Sequence, residues 1–301
     1  MKILITGLPL FSKALAESLK DVYSDHSFIF YDTYNSNFEQ LKYAGALPFA
    51  DLVLSMNGVS DPSGSLDLAV KLRKKLWMQW QGTDVLLATM RAGDQKINRK
   101  YIDYAVHFTD APWLATELNS IGIYPEILHF KWLHCENTSG PFSSLAAYTY
   151  MSQGKEPFYG WNELKSLAEN HPDVVFTIAG SDGAGLKKLP NTRFLGWISN
   201  EKMREIREST PVFIRFTLHD GYSYSVLEAL SAGNEVLWSM PHPNCHLITA
   251  NNINGIFSSV VEKLETGGLQ RNTENRLFIQ QNFSKEDILG RFVNRIKQEI
   301  G

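Results

Sequence analysis

Two carboxylates eight positions apart, Asp220 and Glu228, bracket the stretch of the chain best suited to hold a charged ligand. Upstream, Val212–Phe216 is a short apolar run that reads as a strand; downstream, Ser225–Ala232 reads as a helix. Asp220-Gly221 between them is a turn signal. A helix that begins here leaves the backbone N–H groups of Tyr222, Ser223, Tyr224 and Ser225 pointing out of its N-terminus, a ready site for a diphosphate. Glu228 then lies about one turn into the helix. Its carboxylate can accept hydrogen bonds from two ribose hydroxyls beside that diphosphate. Gly233 falls where a helix C-cap is expected.

Other residues add charge or backbone freedom. Lys155 is a cation that can stabilise charge on a diphosphate leaving group. Gly180 follows the apolar run Val174–Ala179 and opens a loop. Gly7 follows Lys2–Thr6 and supplies backbone freedom there. It is not part of a G-x-G-x-x-G, so a dinucleotide site is not indicated. Gln81, Thr83 and Asp84 follow another apolar run, and either cap the next helix or line a cleft. His219 precedes Asp220 and can face the same ligand. His242, Cys245 and His246 are metal-ligand types, but they lack a fourth ligand at matching spacing, so no metal site is expected. His107 alternates with apolar neighbours and reads as a strand histidine. Lys71–Lys75 and Lys96–Lys100 are basic clusters, either solvated helix faces or a patch against an anionic membrane surface.

Strands and helices alternate along almost the whole chain. Lys2–Thr6, Phe28–Tyr31, Leu52–Ser55, Leu76–Trp80, Tyr104–Phe108 and Glu126–Phe130 read as strands, with helices at Ser12–Lys20, Leu66–Lys75 and Pro112–Ile121. His134–Ser144 is poor in apolar residues and carries Gly140-Pro141, so it reads as a linker. The alternation then restarts through Leu145–Tyr150, Trp161–Asn170 and Val174–Ala179 to Glu235–Trp238. Lys285–Ile300 is an amphipathic helix with Ile288, Leu289, Phe292, Ile296 and Ile300 on one face. The expected fold class is α/β: two Rossmann-like domains with parallel sheets, facing across a cleft. Their expected extents are 1–140 and 141–284, with 285–301 as a terminal helix packed back on the first domain. The length of 301 residues is ordinary for two domains.

The net charge of −3 argues against a nucleic-acid partner. The two cysteines, Cys135 and Cys245, form no CxxC and imply no disulfide framework, so a reducing cytoplasm is expected. The opening Met1–Gly7 is too short an apolar run for a signal peptide. No apolar run reaches the roughly 18 residues of a membrane span.

The segment Arg215–Gly233 resembles the acidic-x7-Glu motif of retaining glycosyltransferases of the GT-B fold, especially glycosyltransferase family 4. Asp220 stands at the first acidic position and Gly221 matches. Tyr222 replaces a phenylalanine, Ser223 a glycine, and Glu228, Ala229 and Gly233 match. The resemblance implies that Glu228 binds the donor ribose and that Asp220 touches the donor sugar hydroxyls. Lys155 to Leu164 resembles the family segment that holds the donor phosphates, with Lys155 as the cation and Tyr159 at the second basic position. His171–Ser181 resembles the following strand, with Gly180 opening its loop. Phe194–Ile198 resembles the loop near the nucleotide base. Gln79–Val85 is similar to a Leu-His-Gly-Thr-Asp segment with Gln81 in place of the histidine that faces the sugar. Gln81 can hydrogen-bond there but cannot carry a proton. Gly7-Leu8-Pro9 occupies the place of the family's glycine-rich loop. The resemblance is good over about residues 145–300 and patchy over 1–140.

It implies a hexosyltransferase that uses a nucleotide diphosphate-sugar donor, retains configuration, and needs neither metal nor cofactor. Helix N-terminus and Lys155 would meet the charge on the leaving diphosphate. The acceptor would be a glycan or a lipid-linked glycan, with peripheral membrane contact. Two further readings stay open: a degenerate nucleotide- or glycan-binding protein, and a nucleotide-sugar epimerase sharing the architecture.

Overall fold

A computed structural model describes residues 1–133 and 139–300. Part of the stretch read as a linker, His134–Thr138 with Cys135, lies outside the described residues. The chain forms two compact units. The first is Met1–Phe130 together with the chain from Glu286 on, and the second is Lys131–Lys285. The division falls before residue 140 because the chain already bonds to the second unit at Leu133, whose N–H donates to the Phe283 carbonyl at 3.0 Å.

The first unit carries strands β1 (Lys2–Thr6), β2 (Ser27–Phe30), β3 (Leu52–Ser55), β4 (Lys75–Trp80), β5 (Val106–Thr109) and β6 (Glu126–Ile127). They form one parallel sheet in the order β2-β1-β3-β4-β5-β6. The second unit carries β7 (Ala146–Tyr150), β8 (Val175–Ala179), β9 (Thr192–Phe194), β10 (Val212–Arg215), β11 (Glu235–Trp238) and β12 (His246–Leu247). These are also parallel, in the order β12-β11-β10-β7-β8-β9. Every residue of β3, β10 and β11 is buried. Sheets covered on both faces select such continuous apolar runs over alternation. In both sheets the strand order reverses, between β1 and β3 in the first and between β7 and β10 in the second. Open parallel sheets bind ligands beyond the carboxyl ends at such a reversal.

Several elements differ from the sequence reading. The helix expected over Leu66–Lys75 is Gly64–Lys71, because Lys75 already belongs to β4. The strand expected over Glu126–Phe130 pairs only through Ile127. Helices Asn37–Ala46, Ile253–Thr266 and Thr273–Asn282 were not anticipated. In Ile253–Thr266 the buried Ile253, Phe257, Val260 and Leu264 follow helical spacing and join the core of the second unit.

The terminal helix Lys285–Ile300 buries Ile288, Leu289, Phe292, Val293 and Ile296. Val293 takes the place expected for Ile300 on that face, since the last residues of the helix are only partly buried. The ring of Phe292 lies 6.0 Å from that of Trp77 and 5.1 Å from that of Phe130. Arg295 binds Glu126 through two bonds, at 2.8 and 2.9 Å, and lies over the Trp77 ring. The helix is thus part of the first unit's core although it comes last in the chain. Phe292→Ala removes a fully buried ring and should cost about 3–5 kcal/mol. Urea unfolding followed by far-UV circular dichroism should show that loss; an unchanged midpoint would mean that the helix contributes little to the core.

Candidate functional site

In the second unit the loops that leave β7 and β10 meet at the strand reversal. Arg215 ends β10 and is 8% exposed. Its Nε donates to Asp220 Oδ2 at 2.8 Å and its Nη2 to Asp220 Oδ1 at 3.2 Å. Both oxygens of Asp220 are therefore engaged by one guanidinium. Arg215 also lies over the Tyr159 ring, 5.1 Å from its centroid. The two loops touch. Leu218 N–H donates to the Phe158 carbonyl at 3.1 Å. Gly160 has φ +74°, and a Cβ there would stand 2.7 Å from the Phe216 ring. Only glycine satisfies both the left-handed backbone and that approach.

The loop after β7 is tied to the loop after β8. The buried Glu156 accepts from Ser181 Oγ at 2.5 Å and from Gly154 N–H at 3.0 Å. Burial works to raise its pKa, but these donors win and hold it below the usual carboxylate value. Gln153 and Asp182 exchange a second pair of bonds, at 2.8 and 2.9 Å. Gly180 has φ +87°, and a Cβ there would stand 2.5 Å from the Met151 carbonyl. The exposed Lys155 therefore rides on a braced turn. Trp197, on the loop after β9, is 85% exposed.

The helix after β10 is Tyr224–Ala232, capped at its end by Gly233 in the left-handed region. Ser223 flanks its start but makes no side-chain cap; its Oγ lies 2.9 Å from Ser225 Oγ. Gly221 is buried beside it. Tyr222 turns its side chain inward. Its hydroxyl meets His242 Nε2 at 2.7 Å and its ring stacks on Phe283. The side chain of Tyr222 is thus a core anchor, and only its backbone belongs to the loop. Glu228 Oε2 accepts from Arg207 Nη1 at 3.0 Å. Burial raises the Glu228 pKa, with the Arg207 charge opposing. Sequence reasoning missed Arg215, Glu156 and Arg207. Arg215 left a signal: a lone cation closing the apolar Val212-Phe213-Ile214, where an unpaired charge is costly.

In the first unit, Gly7 follows β1 with φ +102°, and a Cβ there would stand 2.5 Å from Asn57 Oδ1 and 2.7 Å from Met56 N. The loops at the β1/β3 reversal approach each other through this glycine. Gln81 follows β4, and its N–H donates to Asp84 at 3.0 Å. The Asp84 carboxylate also accepts from the amides of Gly58, Gly82 and Val85, at 2.6–2.9 Å. Asp84 is thus a brace between two loops. Thr83 is the exposed first residue of the helix Thr83–Gly93. His107 accepts from Trp80 Nε1 at 3.1 Å and meets the Ile102 carbonyl at 2.8 Å. Burial lowers its pKa, and it is a neutral core histidine. The basic clusters are largely engaged. Lys74 donates to the Pro48 and Ala50 carbonyls, and Lys75 to that of Glu299. Lys96, Arg99 and Lys100 pair with Asp94, Asp103 and Asp67. These contacts favour the solvated-face reading over the membrane patch.

His242 Nδ1 accepts from the Asn244 amide at 3.1 Å, so its proton sits on Nε2 and is donated to the Tyr222 hydroxyl. Burial brings its pKa down to about 4. His246 instead bonds to Glu235 at 3.0 Å. Among the described residues no group of three or more His, Cys, Asp or Glu side chains could hold a metal ion. A cavity of about 320 Å³ adjoins Glu235, Lys263 and Arg271. It lies at the amino end of β11, away from the carboxyl edge where such sheets bind ligands. Arg271 serves there as a brace, donating to the carbonyls of Gly140, Ala232 and Glu208.

No protein-family model and no curated protein matches the sequence. Solved structures do. The chain is similar to the sucrose-phosphate synthase of Thermosynechococcus elongatus at TM-score 0.71 and 10% identity, covering 99% of each chain. It is similar to a trehalose-6-phosphate synthase at TM-score 0.66 and 9% identity, again over 99% of each. It is similar to the pneumococcal O-GlcNAc transferase GtfA, in complex with UDP and GlcNAc, at TM-score 0.58 and 12% identity. That match covers 82% of this chain and 56% of GtfA, so the chain spans little more than half of that protein's length. These likenesses establish the fold. The chain has the GT-B fold, with two Rossmann-like units built on parallel sheets.

Glu235 gives the second unit a pH signature. It is buried, which would raise its pKa, but bonds from His246 and Lys263 outweigh burial and bring it down to about 2. A carboxylate depressed in the folded state stabilises above its unfolded value, and that stabilisation is lost as the pH falls toward the folded value. Between about pH 6 and pH 3 the wild type should lose about 1 kcal/mol more stability than Glu235→Gln, since solvent screening at the exposed Lys263 roughly halves the ~2 kcal/mol that the shift alone implies. Urea midpoints at the two pH values check this; equal losses in both proteins would remove Glu235 from the account.

Proposed function

We propose that the chain transfers a sugar from a nucleotide diphosphate-sugar to a glycan or lipid-linked acceptor, with retention of configuration and without a metal, as a relative of glycosyltransferase family 4. One observation carries this reading. On a GT-B fold, the β7/β10 reversal gathers two helix starts without side-chain caps, Trp161 and Tyr224, beside the cations Arg215 and Lys155. Helix N-termini and cations together favour an anion of the size of a diphosphate. The donor fits this edge. Its diphosphate would lie over the N–H groups around Ser223 and Tyr224, with Lys155 as a cation and Gly221 leaving room. Its ribose would reach Glu228, which keeps a second oxygen beyond the one bonded to Arg207. Its base would pass the loop opened by Gly180, where Trp197 offers a flat face. Gly7 and Gln81 would serve the acceptor side in the first unit.

The chemistry needs stabilisation of the leaving group more than a strong base. As the bond from the anomeric carbon to phosphate breaks, its electron pair stays on the diphosphate oxygen. The acceptor hydroxyl forms the new bond on the same face, and its proton passes to the departing phosphate. Gln81 can hydrogen-bond in this arrangement and carries no proton. That same limitation, with both Asp220 oxygens engaged by Arg215, favours as second reading a binding protein that holds a nucleotide sugar without turnover.

Thermal shifts with UDP-, GDP-, ADP- and dTDP-sugars test the donor. A ligand at 100 times its dissociation constant should stabilise the fold by about 2.7 kcal/mol. Glu228→Gln should abolish most of that shift for the one class that binds. Release of free nucleoside diphosphate in the presence of an acceptor selects the transferase, and binding without release selects the second reading. No shift with any member would remove the donor site altogether.

A further inference from the structure

The end of β10 holds a charge that its apolar surroundings cannot hold alone. Val212, Phe213 and Ile214 are buried, and Arg215 follows them at 8% exposure. A guanidinium so placed requires a counter-charge, and Asp220 supplies it. The pairing is side-on: Asp220 takes Nε and Nη2. The end-on edge, Nη1 with the second Nη2 proton, is turned away from Asp220, and a planar fork presents such an edge bidentately to phosphate oxygens. The same guanidinium lies over the Tyr159 ring, 5.1 Å from its centroid, and interacts with the Tyr159 hydroxyl. Held by Asp220 along one edge and by Tyr159 beside it, the fork has its orientation set before any ligand arrives. It stands at the strand reversal, on the edge where open parallel sheets take their ligands. A further carboxylate with cationic partners in this unit, the buried Glu235 with Lys263 and His246, stands at the start of β11, on the opposite edge.

We propose, resting on the donor reading above, that Arg215 binds the donor diphosphate through its end-on edge, and that Asp220 is the positioning residue that aims it. Asp220 then acts on the reaction through the guanidinium and not by touching the sugar. When the sugar–phosphate bond breaks and the electron pair stays on the phosphate oxygen, Arg215 meets the charge that builds there. A fork oriented in advance needs no reorganisation at that moment.

Calorimetric titration with inorganic pyrophosphate, and with the nucleoside whose diphosphate sugar the wild type binds, tests this on wild type, Arg215→Lys, Arg215→Gln, Asp220→Asn and the double variant Arg215→Gln/Asp220→Asn. The double variant removes both charges together, so it leaves no buried charge unpaired. Pyrophosphate affinity should fall roughly tenfold or more in each variant lacking Arg215, since a bidentate charge-assisted contact is lost. Nucleoside affinity should stay within about twofold, because that contact reaches the diphosphate only. Asp220→Asn should weaken pyrophosphate several-fold when Arg215 is present and add nothing once it is gone. Should Arg215→Gln alone not fold, Arg215→Lys supplies the single-variant arm. A double variant that binds pyrophosphate like the wild type would make the pair purely structural and overturn the proposal. Equal effects of Asp220→Asn in both backgrounds would overturn the positioning role. A wild type that binds neither nucleoside diphosphate nor pyrophosphate would overturn the donor reading instead, and this proposal with it.

Discussion

A guanidinium at the end of a fully buried strand is the constraint around which the carboxyl edge of the second unit's sheet is organised. Arg215 needs a counter-charge within reach, and the loop after β10 must bend to bring Asp220 to it. That bend places Gly221 and Ser223 just before the helix Tyr224–Ala232, so the helix opens at the same edge. The guanidinium lies over the ring of Tyr159 from the loop after β7, and the approach of the two loops leaves room only for glycine at position 160. Charge, loop path and glycine placement thus follow from one buried cation.

The two units solve the same problem with different partners. In the first, the Asp84 carboxylate is satisfied by main-chain amides from two loops. Amides of this kind are fixed by the backbone, so the carboxylate is used up as a brace. In the second, Asp220 is satisfied by a side chain that has more donors than one carboxylate can use. The first arrangement closes a loop, and the second leaves a directed cation at the strand reversal. The resemblance in sequence marks both aspartates, and only the structure shows that one is held by amides and the other by a guanidinium.

Much of the frame was legible. Trp161–Asn170, Glu235–Trp238 and Lys285–Ile300 stand where apolar periodicity puts them, because burial on one stripe or on two faces imposes its period on the sequence. His107 read correctly as a strand histidine for the same reason. The boundary between the units was not legible, since it depends on which unit Leu133 bonds to and not on local composition. For the basic clusters the sequence left two readings open, because the partners that favour the solvated face come from distant positions, such as Asp67 for Lys100 and Pro48 for Lys74.

The sequence by itself determined the alternation of elements, the parallel two-unit architecture and the strand–loop–helix order of the segment Arg215–Gly233. Spacing and residue type carry those, because they arise from local geometry and burial. Only the tertiary structure decided what each charged group faces. Glu228 meets Arg207 from a neighbouring helix, Tyr222 points into the core toward His242, and Asp220 is held by Arg215. Such pairings depend on where strands and loops meet in space, and the free energy of a buried charge is set by its neighbours there and not by its neighbours along the chain.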